Sequence, residues 1–151
     1  MTVLEVEVVK AERGAPRAAF VRRVLRGAAG VPEVAARLPE GRAEVAVRIT
    51  TDEEMARLNR RYAGEDHSTD VLSFVGSGEH VGDIAISWPA TVRQARKFGH
   101  DSQVELALLA AHGLLHLLGW DHATARERRE MTRLTIAALD RARIKLAAGR
   151  I

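Results

Sequence analysis

The run Val104-Glu-Leu-Ala-Leu-Leu-Ala-Ala-His112-Gly-Leu-Leu-His116-Leu-Leu-Gly119-Trp-Asp-His122 constrains the fold more than any other part of the chain. Its first half is nearly all Ala and Leu, strong helix formers that leave little polar surface on any side. A helix apolar all round has to be buried, so other elements must wrap it. His112 and His116 are four residues apart, which stacks them on one face of that helix, about 6 Å apart along its axis. Gly119 suits the left-handed residue that ends a helix. The chain can then fold back and carry His122 to the same point. A single His in an apolar helix is ordinarily a core residue; three at this spacing, with a glycine between the second and third, point to one metal ion.

The order H-x-x-x-H-x-x-G-x-x-H is the ligand spacing of metzincin-type zinc hydrolases, which carry Glu directly after the first His as general base. Here that position is Gly113. The pattern keeps a metal cage and lacks the base for peptide hydrolysis, so it reads as a metal-dependent hydrolase other than a protease. Three His ligands leave a fourth zinc position open, as in catalytic rather than structural zinc sites. Water in such a position ionises near neutral pH. A structural ion with an Asp as fourth ligand is the alternative. Three imidazoles suit nickel, copper or cobalt as well as zinc.

Composition sets outer limits. With 151 residues, 46% of them hydrophobic, the chain suits one domain with a real core. It has no cysteine, which excludes disulfide partners and cysteine zinc sites. The apolar run at residues 106–118 is short for a membrane span and holds two histidines. The first residues are acidic where a secretory signal would be basic. The expectation is a cytoplasmic protein with no membrane role. The formal charge is +3 and the sequence pI about 9.9. The basic residues are mostly arginine, which favours phosphate contacts. An arginine-for-lysine bias on an ordinary surface explains that composition equally well.

Local patterns predict the elements. Residues 3–9 and 43–49 alternate apolar and polar, as strands with one wet face do. A helix is expected from Pro16 to about Arg26, broken by the glycines at 27 and 30, with a short second helix over 32–38. Thr51-Asp-Glu-Glu54 reads as a capping box for a helix through Arg61. Residues 69–75 and 83–87 are strand candidates, separated by a flexible Gly76-Ser-Gly78 turn. Ser87 caps a helix ending at Gly99. Ser102-Gln-Val-Glu105 and Thr124-Ala-Arg-Glu127 are further capping boxes. The last helix carries a core stripe of Met131, Leu134, Ala138, Ala142 and Leu146. Together these predict a single α+β domain over residues 1–151, with a small mixed sheet of about four strands against about five or six helices. The metal site falls on a buried helix and the loop after it.

With these segments in place, the chain resembles the YbeY family of bacterial endoribonucleases. Leu58-Asn59-Arg-Arg-Tyr62-Ala-Gly64-Glu-Asp66-His-Ser-Thr69-Asp70-Val71-Leu72-Ser73-Phe74 is similar to the family's Leu-Asn-x-x-Tyr-Arg-x-Lys-Asp-x-Pro-Thr-Asp-Val-Leu-Ser-Phe block. Gly82-Asp83-Ile84-Ala-Ile86-Ser87 resembles its Gly-Asp-Ile-x-Ile-Ser strand. His112 to His122 resembles its His-Gly-x-Leu-His-Leu-x-Gly-Tyr-Asp-His signature. The resemblance implies one Zn2+ ion on His112, His116 and His122. It implies a zinc-dependent, single-strand-specific endoribonuclease, cytoplasmic, working in ribosomal RNA maturation and ribosome quality control. The implied partners are RNA, above all ribosomal RNA, and the small ribosomal subunit.

Four positions depart from the family pattern. Ala63 stands where the family has the Arg thought to serve the phosphate, Glu65 where it has Lys, Ser68 where it has Pro, and Trp120 where it has Tyr. Losing a guanidinium from a scissile phosphate weakens transition-state stabilisation. Arg60 and Arg61, just upstream, are the candidates to contact substrate instead; the other reading is that both are solvated helix arginines. Asp121, beside the third ligand, either orients an imidazole or shuttles a proton, or is a turn residue bonded to local backbone. Asp70 and Asp83 are read chiefly as strand-end caps, Ser73 and Phe74 as strand-end residues with Phe74 in the core, and His67, His80 and His100 as surface loop residues. The attacking group is water or the ribose 2′-OH. Two alternatives to the endoribonuclease stand beside it. One is a weakly active or non-catalytic, zinc-stabilised RNA-binding ribosome-assembly factor. The other is a metalloprotease-like hydrolase.

Overall fold

The structure, a computed structural model, describes residues 2–63 and 69–151. Four strands form one mixed sheet: β1 (Thr2–Lys10), β2 (Gly41–Thr50), β3 (Val71–Ser77) and β4 (His80–Ser87), in the order β1-β2-β4-β3. β1 and β2 pair in parallel, β2 and β4 in parallel, and β3 and β4 antiparallel. A parallel neighbour needs a crossover. Helices α1 (Ala18–Ala29) and α2 (Pro32–Ala35) make the one between β1 and β2. The antiparallel pair needs only a tight turn, at Gly78 and Glu79.

Alternation along the strands sets the two faces. In β2, Ala43, Val45, Val47 and Ile49 are buried, while Arg42 and Arg48 are exposed on the other side. The apolar face is covered by α1 and α5 (Ser102–Leu117), and α6 (Ala125–Arg141) packs on those two helices; α3 (Asp52–Leu58) and α4 (Trp88–Phe98) pack against β4. One hydrophobic core joins the sheet to α1, α2, α5 and α6. The expected α+β architecture is the one found. Among the described residues no helix is long and apolar enough to cross a membrane.

Several local expectations need correcting. α1 starts after Pro16 and runs on through Gly27, where a Cβ would make ordinary van der Waals contact with the Ala142 nitrogen at 3.4 Å and the Ala138 oxygen at 3.5 Å. The glycine lies inside α1 at its contact with α6 and does not break the helix. α2 stops at Ala35 instead of reaching residue 38. α3 is capped by Thr51, as expected, but continues over residues 59–63 as a π-helical turn. Gly76 and Ser77 belong to β3, not to a flexible turn, and a Cβ at Gly76 would strike the His80 carbonyl at 2.1 Å. His80 opens β4 and is not in a loop. His67 lies outside the described residues.

The largest correction concerns Glu105. Asp101, not Ser102, is the N-cap of α5. Glu105 is fully buried and bonded to Arg150 and His100 instead of reaching back to the helix start. His100 is accordingly not a surface residue: its side chain is 7% exposed, and its Nδ1 accepts the Ala147 N–H at 3.2 Å.

Candidate metal centre

Between residues 105 and 117 of α5 every residue is buried except His112 and His116. The helix therefore shows the cleft one narrow stripe, and both histidines are on it. Each fully buried leucine of the surrounding positions, such as Leu106, Leu114 and Leu115, contributes roughly 1.5–3 kcal/mol to holding that stripe in place. Gly113, between the ligands, faces the sheet. A Cβ there would meet Ile84 Cγ2 at 2.8 Å, and the Ser73 hydroxyl donates to the Gly113 carbonyl at 3.1 Å. The residue that reads in sequence as a missing base is a packing position, where α5 touches β3 and β4.

The helix ends as the glycine predicts. Gly119 has φ +98°. Its N–H donates to the His116 carbonyl, and the Trp120 N–H donates to the Leu115 carbonyl. This is the paired bonding of a Schellman turn. Arg37 fastens the turn from outside, donating to the Leu118 carbonyl at 3.1 Å with its guanidinium 3.8 Å above the Trp120 ring. The chain then reverses. Thr124 caps α6 by accepting the Glu127 N–H, and His122 comes back to the helix face.

The three histidines converge. One ring nitrogen from each lies within 4.8 Å of the others. His112 Nε2 and His116 Nε2 are 3.0 Å apart. The edge of a tetrahedral zinc site with ordinary Zn–N bonds is about 3.3 Å. Burial first, then the neighbouring His116 and His122, push the His112 pKa down to about 4. Burial and His122 lower that of His116. His112 is therefore neutral at pH 7, with a lone pair free. His116 also bonds the Trp120 backbone. That leaves its Nε2 as the unprotonated nitrogen facing His112. Either a ring proton of His112 or a cation satisfies two nitrogens held this close, and with His122 as a third donor the set fits a metal ion.

The histidines open on a cavity of about 430 Å³, whose other walls include Thr69, Asp70 and Ser73. Asp70, expected chiefly as a strand-end cap, is one of the residues lining this cavity, and its carboxylate accepts the Gln94 amide at 2.6 Å. Asp121 accepts the His122 N–H at 2.7 Å, a local turn bond. Asp83 lies on the opposite, open face of the sheet, paired with His80 at 3.2 Å. Phe74 is half-buried and meets Tyr62 edge-on, with ring centroids 5.3 Å apart. Arg61 sits over the Tyr62 ring, and neither Arg60 nor Arg61 is among the described residues that line the cavity. One cation near the cleft escaped the sequence reading: Arg128, on the first turn of α6, has Nη1 3.4 Å from the His122 carbonyl. Its position six residues after His122, beyond a helix cap, was the available signal.

The family model described as Endoribonuclease YbeY matches residues 15–143, and the chain belongs to that family. A Chloroflexus aurantiacus protein named Endoribonuclease YbeY is 44% identical over 136 residues, covering 78% of this chain and 87% of its own length. One of the same name from Gloeobacter violaceus is 48% identical over 102 residues, covering 60% of this chain and 53% of its own length. The solution structure of a Thermotoga maritima protein superposes with a TM-score of 0.61 at 23% identity, covering 91% of each chain, and so shares the fold.

Proposed function

We propose that this chain is a zinc-dependent endoribonuclease that cuts single-stranded RNA. In this reading it works in the cytoplasm on ribosomal RNA, in rRNA maturation and ribosome quality control, and meets the small ribosomal subunit. Residues 1–151 act as one metallohydrolase domain. The observation that carries the reading is the convergence of three imidazole nitrogens within 4.8 Å at the floor of an open cavity. The relatives' shared name supplies the substrate class.

His112, His116 and His122 would hold the ion. Zinc in such a site supplies a Lewis acid for a phosphoryl oxygen and lowers the pKa of water. The rest of the work falls to the chain. α5 keeps two imidazoles neutral and fixed by burying the helix around them. Asp70 and Ser73 give the cavity wall polar groups able to bond a ribose 2′-OH or an attacking water. Arg128 places a guanidinium beside the third histidine, where it can meet a backbone phosphate.

One observation favours a second reading. No arginine lines the cavity among the described residues, and position 63 holds Ala. An RNA-binding assembly factor that keeps zinc for stability would look the same. The protease alternative loses ground, because Gly113 is wedged against Ile84 and has no room for a catalytic side chain.

Replacing His116 with Ala, then measuring zinc content and cleavage of a single-stranded RNA together, tests the proposal. Zinc and cleavage should fall together, and a chelator should abolish cleavage by the unmodified chain. Undiminished cleavage by the metal-free variant overturns the proposal. RNA binding without turnover under every metal tried selects the second reading.

A further inference from the structure

A chain of partly buried polar contacts runs from the segment after α6 to the wall of the metal cavity. Arg150 grips the buried Glu105 with two bonds, Nε to Oε1 at 2.9 Å and Nη2 to Oε2 at 2.7 Å. Its Nη2 also donates to Gln94 Oε1 at 3.3 Å. Gln94 Nε2 donates to Asp70 Oδ2 at 2.6 Å. The Asp70 carbonyl accepts the Ser87 N–H at 2.9 Å, which holds its backbone. None of these groups is one of the three histidines, and among the described residues none of α4 lines the cavity itself.

The relay has a direction. An arginine has only donors, so the atom of Gln94 facing it must be the amide oxygen. The amide nitrogen is then forced toward Asp70. Glu105 in turn holds the guanidinium. Burial raises the Glu105 pKa, but the bonds from Arg150 and His100 outweigh it and the net shift is downward. Phe98 packs beneath the guanidinium, its ring centroid 4.3 Å from Cζ. With Oδ2 occupied by Gln94, Oδ1 is the second Asp70 oxygen; among the described residues its nearby donor is the Thr69 hydroxyl, at 3.5 Å, a marginal bond.

We propose that Arg150 and Gln94 are positioning residues that aim Asp70 into the metal cavity, where its Oδ1 accepts a hydrogen bond from the attacking hydroxyl of the RNA or water. Asp70 would then touch substrate, while Gln94 and Arg150 act through it. This rests on the endoribonuclease reading for its substrate and on the relay for its geometry.

The test uses the full chain loaded with zinc, a labelled single-stranded RNA, and separate kcat and KM. Gln94→Leu should lower kcat about 10- to 100-fold, the cost of a misplaced reacting group, with KM and zinc content within twofold of the unmodified chain. Asp70→Asn should lower kcat at least as far. Arg150→Met should match Gln94→Leu in the fraction that stays folded, and Arg150→Lys should recover part of the loss. A second readout needs no catalysis: the Gln94 side-chain amide resonances in a 15N NMR spectrum should shift, and exchange faster, in Arg150→Met and Asp70→Asn. Gln94→Leu with unchanged kcat overturns the proposal, as do Gln94 resonances indifferent to Arg150→Met. An unmodified chain that cuts no RNA overturns the functional reading and Asp70's role toward a hydroxyl, while the amide spectrum still decides whether the relay exists.

Discussion

Gly113→Ala separates a helix-propensity argument from a packing argument by the sign of one number. Gly113 is in the interior of α5, where Ala is favoured over Gly by about 1 kcal/mol. Propensity alone therefore predicts stabilisation. The structure predicts the reverse. The new Cβ would be 2.8 Å from Ile84 Cγ2, 3.2 Å from Cδ1 and 3.3 Å from Cγ1. Carbon atoms prefer about 3.5–4.0 Å. Ile84 is 1% exposed, and its Cγ2 is a branch on a stiff β-branched side chain that cannot swing away. Overpacking of this kind costs about 1–3 kcal/mol. Towards the upper end of that range the helix gain leaves a net loss of about 1–2 kcal/mol. For a chain of this size that lowers Tm by about 2–8 °C. The measurement is thermal unfolding of the chelated protein, so that metal binding does not enter. Ile84→Ala should lose stability alone, through its cavity, yet cost less in the Gly113→Ala background, giving a favourable coupling. A higher Tm for Gly113→Ala, or strictly additive effects, would refute the view that position 113 is a contact between α5 and the sheet.

Two further outcomes follow from the site. His112 is held neutral in the fold, with its pKa lowered from 6.5 to about 4, so the unfolded chain binds more protons between those values. The metal-free protein should therefore lose stability as pH falls from about 6.5 to 4, by on the order of 3 kcal/mol from this group, and His112→Asn should flatten that part of a urea-unfolding series; an equal slope in the variant would exclude His112 as the cause. Arg128→Ala should raise KM for single-stranded RNA about tenfold and reduce the log–log salt slope of binding by about 0.7, the share of one phosphate contact. An unchanged slope would place Arg128 outside the RNA path.

The sequence alone determined whatever closes within a few residues. The stacking of His112 on His116 follows from the helix repeat, and the turn back to His122 follows from Gly119, because each needs backbone bonds spanning only four to six positions. The caps at Thr51, Ser87 and Thr124 were legible for the same reason. Glu105 shows where that logic stops: its spacing from Ser102 fits a capping box, yet it bonds Arg150, 45 residues away, because a buried carboxylate at that point is worth more to a guanidinium than to a helix end. Gly113 looks like a vacancy until β4 is laid against it. The strand order β1-β2-β4-β3, the cavity under Asp70 and the approach of Arg128 to His122 likewise belong to the tertiary structure. Such contacts depend on which elements pack together, and alternation or helical period fixes only the face each element turns inward, not the neighbour it meets there.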